Sequence, residues 1–237
     1  MTDTVFHNAE RIQTSLLAKV EKQSLIWIAH RLPRWVTSDH LTALGFLSIL
    51  AAGLAYWWAR WRPEALVVVI GLLALNWFGD SLDGTLARVR DRQRPRYGFY
   101  VDHVLDAIGT TGLVIGIGLS GYMSPIVALG VLVSYLLLSI EVYLATYSLG
   151  LFRMSFWKFG PTELRLALSL GNLTLLVHPC ATIMGESYRL FDIAGIVAIA
   201  GLTVTMLGSA AANARALSRA EPLPPHQPRS IPLRDAR

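Results

Sequence analysis

The chain has 237 residues, which fits one large domain or two small ones, and a composition of 53% hydrophobic and 16% charged residues with a mean hydropathy of +0.46 argues against an ordinary cytosolic protein. The single cysteine, Cys180, excludes an intramolecular disulfide framework and a thiolate metal cluster. The net charge of +5 does not indicate a nucleic-acid partner, because the basic residues lie between and beyond apolar runs, where they would meet anionic lipid headgroups.

The first 40 residues precede the long apolar runs and predict an amphipathic helix. Apolar residues recur there near helical spacing among charged ones, at Ile12, Leu16, Val20 and Ile28. Such a helix would either lie in the plane of the membrane interface or pack as an arm on the rest of the protein. Because no apolar segment follows the initial methionine, we expect no cleavable signal peptide.

Apolar runs beyond this arm predict an all-α membrane protein with six transmembrane helices. Their approximate bounds are 41–60, 64–88, 99–121, 124–150, 161–180 and 189–213. The run over 107–140 is too long for one crossing, and the turn-forming sequence Gly121–Pro125 divides it into two helices.

The distribution of basic residues predicts the orientation of these helices. Lysines and arginines are concentrated in the N-terminal stretch, in 88–96, in 153–165 and after Asn213, whereas the turns near 121–125 and 179–188 carry almost none. By the positive-inside rule, both termini and the 88–96 loop are expected on the cytoplasmic side.

The end of the chain predicts a disordered tail. From about Glu221 it is rich in proline and arginine and has little apolar surface to bury. The expected organisation is therefore an N-terminal juxtamembrane segment over 1–40, a six-helix transmembrane domain over 41–213 and a cytoplasmic tail over 214–237.

Four aspartates flank the loop between the second and third predicted spans: Asp80, Asp83, Asp102 and Asp106. Spacings of three and four residues place each pair on one face of its helix. Because a short loop makes the two helices antiparallel neighbours, we expect all four carboxylates to converge at the cytoplasmic end of the bundle.

Crowded carboxylates repel one another in a medium of low dielectric constant, and divalent cations remove that repulsion. Oxygen ligands without histidine or cysteine select Mg²⁺, Mn²⁺ or Ca²⁺ over zinc, and four carboxylates can hold two ions roughly 3.5–4 Å apart. The alternative is a set of acids at helix ends paired with the arginines of 88–96.

Small residues extend the acidic face by one turn. Gly84 and Ala87 would let a bulky ligand approach the backbone closely, although small residues also serve helix packing in membranes. Arg88 follows at the cytoplasmic edge, where a guanidinium suits a phosphate.

The sequence resembles the signature of the CDP-alcohol phosphotransferases in the motif Asp80-x2-Asp83-Gly84-x2-Ala87-Arg88, followed by Gly98-x3-Asp102-x3-Asp106. One feature departs from the usual pattern: nine residues, Val89–Tyr97, separate the arginine from the following glycine, where the family has eight. The difference lies in the loop and concerns its substrate contacts more than the carboxylate geometry. Thr42 and Gly45 resemble the entry to the family's first helix.

The resemblance implies transfer of a phospho-alcohol from a CDP-linked donor to an acceptor hydroxyl, with release of CMP, in phospholipid biosynthesis. It implies that Asp80, Asp83 and Asp102 hold two Mg²⁺ or Mn²⁺ ions. Asp106 would contribute a further ligand and act as the base that takes the acceptor's proton.

The resemblance also implies that Gly84, Ala87 and Arg88 border the cytidine and its phosphates. It makes 41–213 the catalytic domain, with its active site on the cytoplasmic side and membrane lipids around it. Homodimers are common in the resembled family, so a homodimer is a possible assembly.

Three further polar residues have alternative interpretations. His103 is a second candidate for the base, or it faces a neighbouring helix. Glu163 either lines the acceptor pocket or lies in the first turn of a helix, where the N-terminal dipole favours an acid. Glu141 interrupts the fourth predicted span and is either a functional acid or the partner of an arginine across the bundle.

The donor is left open between two branches of the family. The sequence Asp102-His103-x2-Asp106, with Gly160-Pro161-Thr162-Glu163, resembles the branch that uses a CDP-amino-alcohol. CDP-diacylglycerol is the donor of the other branch. A different functional class, a multi-spanning transporter with a carboxylate cation site, is the alternative to an enzyme, although transporter acids are typically spread through the depth of the membrane.

Overall fold

Long apolar runs fold as helices in the computed structural model, which describes residues 10–12, 18–153, 160–183 and 185–223. The helices are α1 (Ala18–Arg31), α2 (Ser38–Ala59), α3 (Ala65–Val89), α4 (Pro95–Leu119), α5 (Pro125–Leu149), α6 (Pro161–Val177) and α7 (Leu190–Ala220). Two short strands, β1 (Glu10–Ile12) and β2 (Leu151–Arg153), pair in parallel, and β3 (Cys180–Ile183) forms an antiparallel hairpin with β4 (Glu186–Arg189). The sequence analysis did not predict these four strands.

Five helices, α2, α3, α4, α5 and α7, are long and apolar enough to cross a membrane. The predicted class of an all-α membrane protein is therefore confirmed for them. The helix at the place of the fifth predicted span, α6, has 17 residues. A sixth crossing thus stays a prediction.

Helix boundaries follow local sequence signals. Thr37 caps α2 by accepting a hydrogen bond from the backbone N–H of His40, and the His40 ring accepts one from the Thr37 backbone N–H. Proline occupies the first turn of α4, α5 and α6, where its missing N–H costs nothing. At the end of α5, Gly150 adopts a left-handed conformation with φ of 68°.

Two helix boundaries differ by a full helical turn or more from those expected. The third predicted span begins at Pro95 rather than near 99, because the proline starts the helix a full turn earlier. The last helix continues to Ala220, seven residues beyond the expected end at 213, since alanine-rich sequence sustains it. The remainder of the expected tail, 224–237, lies outside the described residues.

Glycines bring α2 close to both α3 and α4. A Cβ atom on Gly79 of α3 would lie 2.5 Å from the carbonyl oxygen of Leu41 and from the backbone nitrogen of Gly45, both in α2. A Cβ atom on Gly116 of α4 would lie 2.0 Å from the carbonyl oxygen of Gly53. The three helices therefore pack backbone against backbone, which small residues permit in membranes.

The N-terminal helix α1 packs against the C-terminal end of α3. Leu25 and Ala29 are buried in a cluster with Leu82 and Leu86, and Ile28 packs against it. This contact fits the alternative in which the N-terminal helix packs as an arm on the rest of the protein. The side chains of Ile12, Leu16 and Val20 lie outside those described, so the position of this segment in a membrane interface stays a prediction.

Arg90 ties the start of the α3–α4 loop to the segment between α1 and α2. Its guanidinium donates hydrogen bonds to the carbonyl oxygens of Leu32 at 3.0 Å, Pro33 at 2.9 Å and Val36. The next residue, Asp91, turns the chain in the left-handed region with φ of 56°.

A polar pair joins α5 to α7. The Asn213 amide donates a hydrogen bond of 2.7 Å to Oε1 of Glu141, and Oε2 of Glu141 is buried without a hydrogen-bond partner in the described structure. The intramembrane acid of the fourth predicted span thus meets an amide rather than an arginine.

Candidate active site

Three of the four predicted carboxylates come together at the facing ends of α3 and α4. Asp80, Asp102 and Asp106 each offer one carboxylate oxygen, and these oxygens all lie within 4.8 Å of one another. The close approach of Gly79 to α2 fixes the neighbouring Asp80 at this point of the bundle. The spacing of four residues between Asp102 and Asp106 presents both from one face of α4.

Asp83 lines the same cleft but lies outside the group of three. Its Oδ2 accepts a hydrogen bond of 2.6 Å from the hydroxyl of Thr42, and its carbonyl oxygen accepts one of 2.9 Å from the hydroxyl of Ser38. The beginning of α2 thereby orients Asp83. Thr42 and Gly45, which resemble the family's first-helix entry, both border the cleft.

The cleft is small and mixes acidic with apolar walls. Its lining residues are Thr42, Gly45, Phe46, Ile49, Asn76, Asp80, Asp83, Asp102, Leu105 and Asp106. The carboxylates therefore share a partly enclosed space in which their mutual repulsion is poorly screened.

Arg165 of α6 reaches the carboxylates and was missed by the sequence analysis. Its guanidinium donates a hydrogen bond of 2.5 Å to Oδ2 of Asp80 and another of 2.7 Å to Oδ1 of Asn76. The Asn76 amide in turn donates to the carbonyl oxygen of Gly45 at 2.9 Å. A signal was present: Arg165 is a charged residue in the fifth predicted span and Asn76 a polar one in the second, which favours a functional role.

The expected nucleotide residues form one surface beside the carboxylates. A Cβ atom on Gly84 would meet only the Arg88 guanidinium, at 3.4 Å, so the helix surface there is open. Arg88 is exposed and donates a hydrogen bond of 3.0 Å to the hydroxyl of Thr85. Ala87 is half-buried on the same helix. Their contact with a nucleotide stays a prediction.

His103 faces α5 rather than the cleft. Its ring stacks on Phe99 with centroids 4.1 Å apart and meets Tyr143 of α5 edge-on at 4.8 Å. Its Nδ1 lies 2.7 Å from the carbonyl oxygen of Phe99 and 3.6 Å from the Asp102 carboxylate. His103 is not among the described residues that line the cleft. The geometry therefore fits the interpretation that His103 packs against a neighbouring helix, beside Asp102.

Glu163 lies at the start of α6. Its carboxylate accepts a hydrogen bond of 2.9 Å from the backbone N–H of Gly160, which satisfies one of the unpaired donors of a helix N-terminus. The interpretation of Glu163 as an acid of the first helical turn therefore has direct support. An acceptor-binding role for Glu163 stays a prediction.

The donor set fits a hard divalent cation. Carboxylate oxygens alone make up the group of three, which suits Mg²⁺ or Mn²⁺ and not a zinc site. The Arg165 guanidinium shows that this cluster already attracts a cation to Asp80. The residues could thus hold a metal, and the identity and number of ions stay predictions.

Comparison with known proteins agrees with this geometry. The archaetidylinositol phosphate synthase of Methanothermobacter thermautotrophicus is 35% identical over 103 residues, which cover 41% of this chain and 50% of the relative. The chain thus spans about half the length of that curated relative. Residues 35–209, which contain all four aspartates, match the sequence model of the CDP-alcohol phosphatidyltransferases. Since this match covers most of the chain, the protein belongs to the CDP-alcohol phosphatidyltransferase family.

Proposed function

We propose that this protein is a metal-dependent CDP-alcohol phosphotransferase of phospholipid biosynthesis. It transfers a phospho-alcohol group from a CDP-alcohol to an acceptor hydroxyl and releases CMP. The observation that carries the proposal is the convergence of Asp80, Asp102 and Asp106 within the segment matched to the family. These acids gather at one end of the bundle, which supports an enzyme over the alternative of a transporter.

The four aspartates would hold the metal. Asp80, Asp102 and Asp106 supply oxygens to one group, and Asp83, oriented by Thr42, borders the same cleft. When bound, Mg²⁺ or Mn²⁺ would neutralise the charge of the donor's pyrophosphate. Two ions are expected from the four carboxylates.

Asp106 is the proposed general base. It lies one turn beyond Asp102 on the cleft side of α4, where its carboxylate can accept the proton of the acceptor hydroxyl. The acceptor oxygen then forms a bond to the phosphorus that carries the donor's alcohol. The bond from that phosphorus to the bridging oxygen breaks, and its electron pair leaves with CMP.

The nucleotide would bind along the face of α3 that carries Gly84, Ala87 and Arg88. The open surface at Gly84 gives a flat base or sugar room to approach the backbone. Arg88, at the exposed end of the helix, can donate to phosphate oxygens. These positions continue the helix face that carries Asp80.

The substrates are proposed as classes. The donor is CDP-diacylglycerol or a CDP-amino-alcohol, and the acceptor is an alcohol. The name of the archaeal relative contains inositol phosphate, so a phosphorylated inositol belongs among the acceptors to be tested. The Arg165 guanidinium beside the carboxylates would suit an acceptor that carries negative charge.

The membrane arrangement is proposed from the helices and the basic residues. We place six crossings in the bilayer, with α6 as the shortest, and the carboxylate end of α3 and α4 on the cytoplasmic side. Arginines of the adjacent loop support this orientation. A homodimer and a cytoplasmic location of the C-terminal segment remain part of the proposal.

Release of CMP tests the proposed function. Detergent-solubilised protein with Mg²⁺ or Mn²⁺ is incubated with CDP-diacylglycerol, CDP-ethanolamine or CDP-choline, each with a panel of polar and lipid alcohols that includes inositol phosphate. We expect CMP from at least one pair, loss of turnover in excess EDTA and recovery on addition of the metal. Full activity in EDTA would exclude the metal-dependent mechanism, and absence of CMP from every pair would exclude the transferase.

Variants at Gly84 test the nucleotide surface. Because a Cβ atom fits there without a clash, Gly84→Ala is a folded control, whereas the larger Gly84→Val fills the space proposed for the nucleotide. We expect Gly84→Val to weaken binding of the CDP-alcohol with Mn²⁺ affinity unchanged. Equal loss of both would assign Gly84 to helix packing.

A further inference from the structure

The first turn of α6 is joined to α1 and α3 through one carboxylate oxygen. Oε1 of Glu21 in α1 accepts hydrogen bonds from the Thr162 hydroxyl at 2.9 Å, the Trp77 indole N–H at 2.8 Å and the Ser81 hydroxyl at 3.1 Å. Three donors on a charged acceptor form a strong, directional junction in a half-buried setting. Neither the metal site nor the proposed reaction uses this junction.

The junction lies next to the carboxylates along both helices. Trp77 and Ser81 flank Asp80 on α3, three residues before it and one after it. On α6, Thr162 precedes Arg165 by three residues, so both project from the same side of the helix. One turn of α6 is therefore attached to α3 at two points, through Glu21 and through the ion pair of Arg165 with Asp80.

We propose that Glu21 is a positioning residue that holds the start of α6 so that Arg165 meets Asp80. The inference rests on the proposed function only in taking the aspartates as a metal site. Arg165 supplies the positive charge at Asp80 and competes there with a metal cation. Without Glu21, the hydroxyl of Thr162 loses its acceptor. The first turn of α6 then keeps only the polar contacts of Arg165 with α3, and the ion pair becomes less populated.

Binding of Mn²⁺ to the purified full-length protein tests this role by titration calorimetry, without any substrate. Arg165→Ala should tighten Mn²⁺ binding by roughly threefold or more, because a competing positive charge is removed. Glu21→Ala should tighten it by roughly twofold, through release of Arg165. If Glu21 acted only through its negative charge, its loss would weaken Mn²⁺ binding. Direct loss of charge and release of Arg165 therefore change the Mn²⁺ affinity in opposite directions.

Two matched variants separate positioning from a general structural effect. Glu21→Gln keeps an oxygen acceptor for all three donors, so Arg165 stays in place and the variant should bind Mn²⁺ no more tightly than the wild type does. Ser81→Ala removes one donor that does not reach α6 and should leave the affinity unchanged. The double variant Glu21→Ala/Arg165→Ala should match Arg165→Ala, since Glu21 acts through Arg165.

The inference is overturned if Glu21→Ala leaves Mn²⁺ affinity unchanged or weakens it, or if the two single effects multiply in the double variant. Failure of the proposed function has another signature, the absence of CMP release by wild-type protein. Hydrogen exchange of residues 164–168 gives a reading independent of metal. Faster exchange in Glu21→Ala but not in Glu21→Gln supports the anchor, and unchanged exchange in both contradicts it.

Discussion

The α2–α3–α4 half of the bundle and the α5–α7 half are built differently. In the most apolar stretches of α2 and α3, 39% of the residues are buried, and in that of α4, 33% are buried. The corresponding stretches of α5 and α7 have only 11% of their residues buried. The first half is joined through glycines at backbone contact. Between α5 and α7, Gly130 and Gly195 instead lie against side chains, those of Ile199 and Val127, and a Cβ atom on Gly201 or Gly208 would have no heavy atom of another segment within 4 Å.

This difference explains where the carboxylates lie. A charge cluster needs fixed surroundings, because its members separate when the backbone can relax. All four aspartates belong to the closely packed half, on α3 and α4. The exposed apolar faces of α5 and α7 suit contact with lipid chains, which need no specific geometry.

The largest expected effect is the removal of a carboxylate from the packed half. Asp80→Asn and Asp102→Asn should each lower turnover by roughly 10²-fold or more, because several kcal/mol of transition-state stabilisation depend on the metal ligands. Both variants should remain folded and extractable. In metal-free protein, Asp102→Asn should also raise the melting temperature, since it relieves repulsion, whereas Asp80→Asn removes the partner of Arg165. Near wild-type turnover in either variant would assign that aspartate to structure.

The second expected effect separates two neighbours on α4. Asp106→Asn should lower the rate by roughly 10²-fold with Mn²⁺ and nucleotide still bound, because the base is lost. His103→Gln should cost less than about tenfold, since its ring packs between Phe99 and Tyr143 outside the cleft. Single-turnover kinetics measure both. The opposite ranking would make His103 the base and favour a CDP-amino-alcohol donor.

A matched pair of glycine variants compares the two halves directly. Gly79→Ala places a methyl group 2.5 Å from the backbone of α2 and should destabilise the protein by about 1–3 kcal/mol. Gly201→Ala adds the same group where nothing lies within 4 Å and should leave stability unchanged or raise it by up to about 1 kcal/mol. Thermal unfolding in detergent measures both. Equal melting temperatures would mean that the packed half adjusts as easily as the exposed one.

The smallest effect is expected at the polar pair of the exposed half. Glu141→Gln keeps an oxygen that can accept from Asn213 and removes a charge whose second oxygen has no hydrogen-bond partner in the described structure. Turnover should change by less than about twofold, and stability should not fall. A loss comparable to that of Asp106→Asn would place Glu141 in the reaction.

Sequence alone predicted the features that are set by residues close together in the chain. Apolar runs located the five helices that are long and apolar enough to cross a membrane, and a spacing of four residues with one short loop predicted that Asp80, Asp102 and Asp106 come together. Both kinds of signal arise within one helix or across one short loop. Resemblance to a motif then supplied the family, which the match over residues 35–209 confirmed.

Contacts between distant segments were beyond the reach of the sequence. Arg165 and Asp80 are 85 residues apart, and helix periodicity does not state which helix lies beside α3. The packing of Leu25 against α3 could not be predicted either, because an amphipathic pattern is equally compatible with a lipid surface and a protein surface. The paired strands have three or four residues each, too few for a periodic pattern.

The three carbonyl contacts of Arg90 hold the first residues of the α3–α4 connection in place. They clamp the end of α3 to the segment before α2, and Pro95 restarts the chain as a helix before Gly98 is reached. The nine-residue spacing between Arg88 and Gly98 is thus accommodated between two fixed points, with a left-handed turn at Asp91. We expect a change in length between these two points to alter the loop more than the helix segments that carry the aspartates.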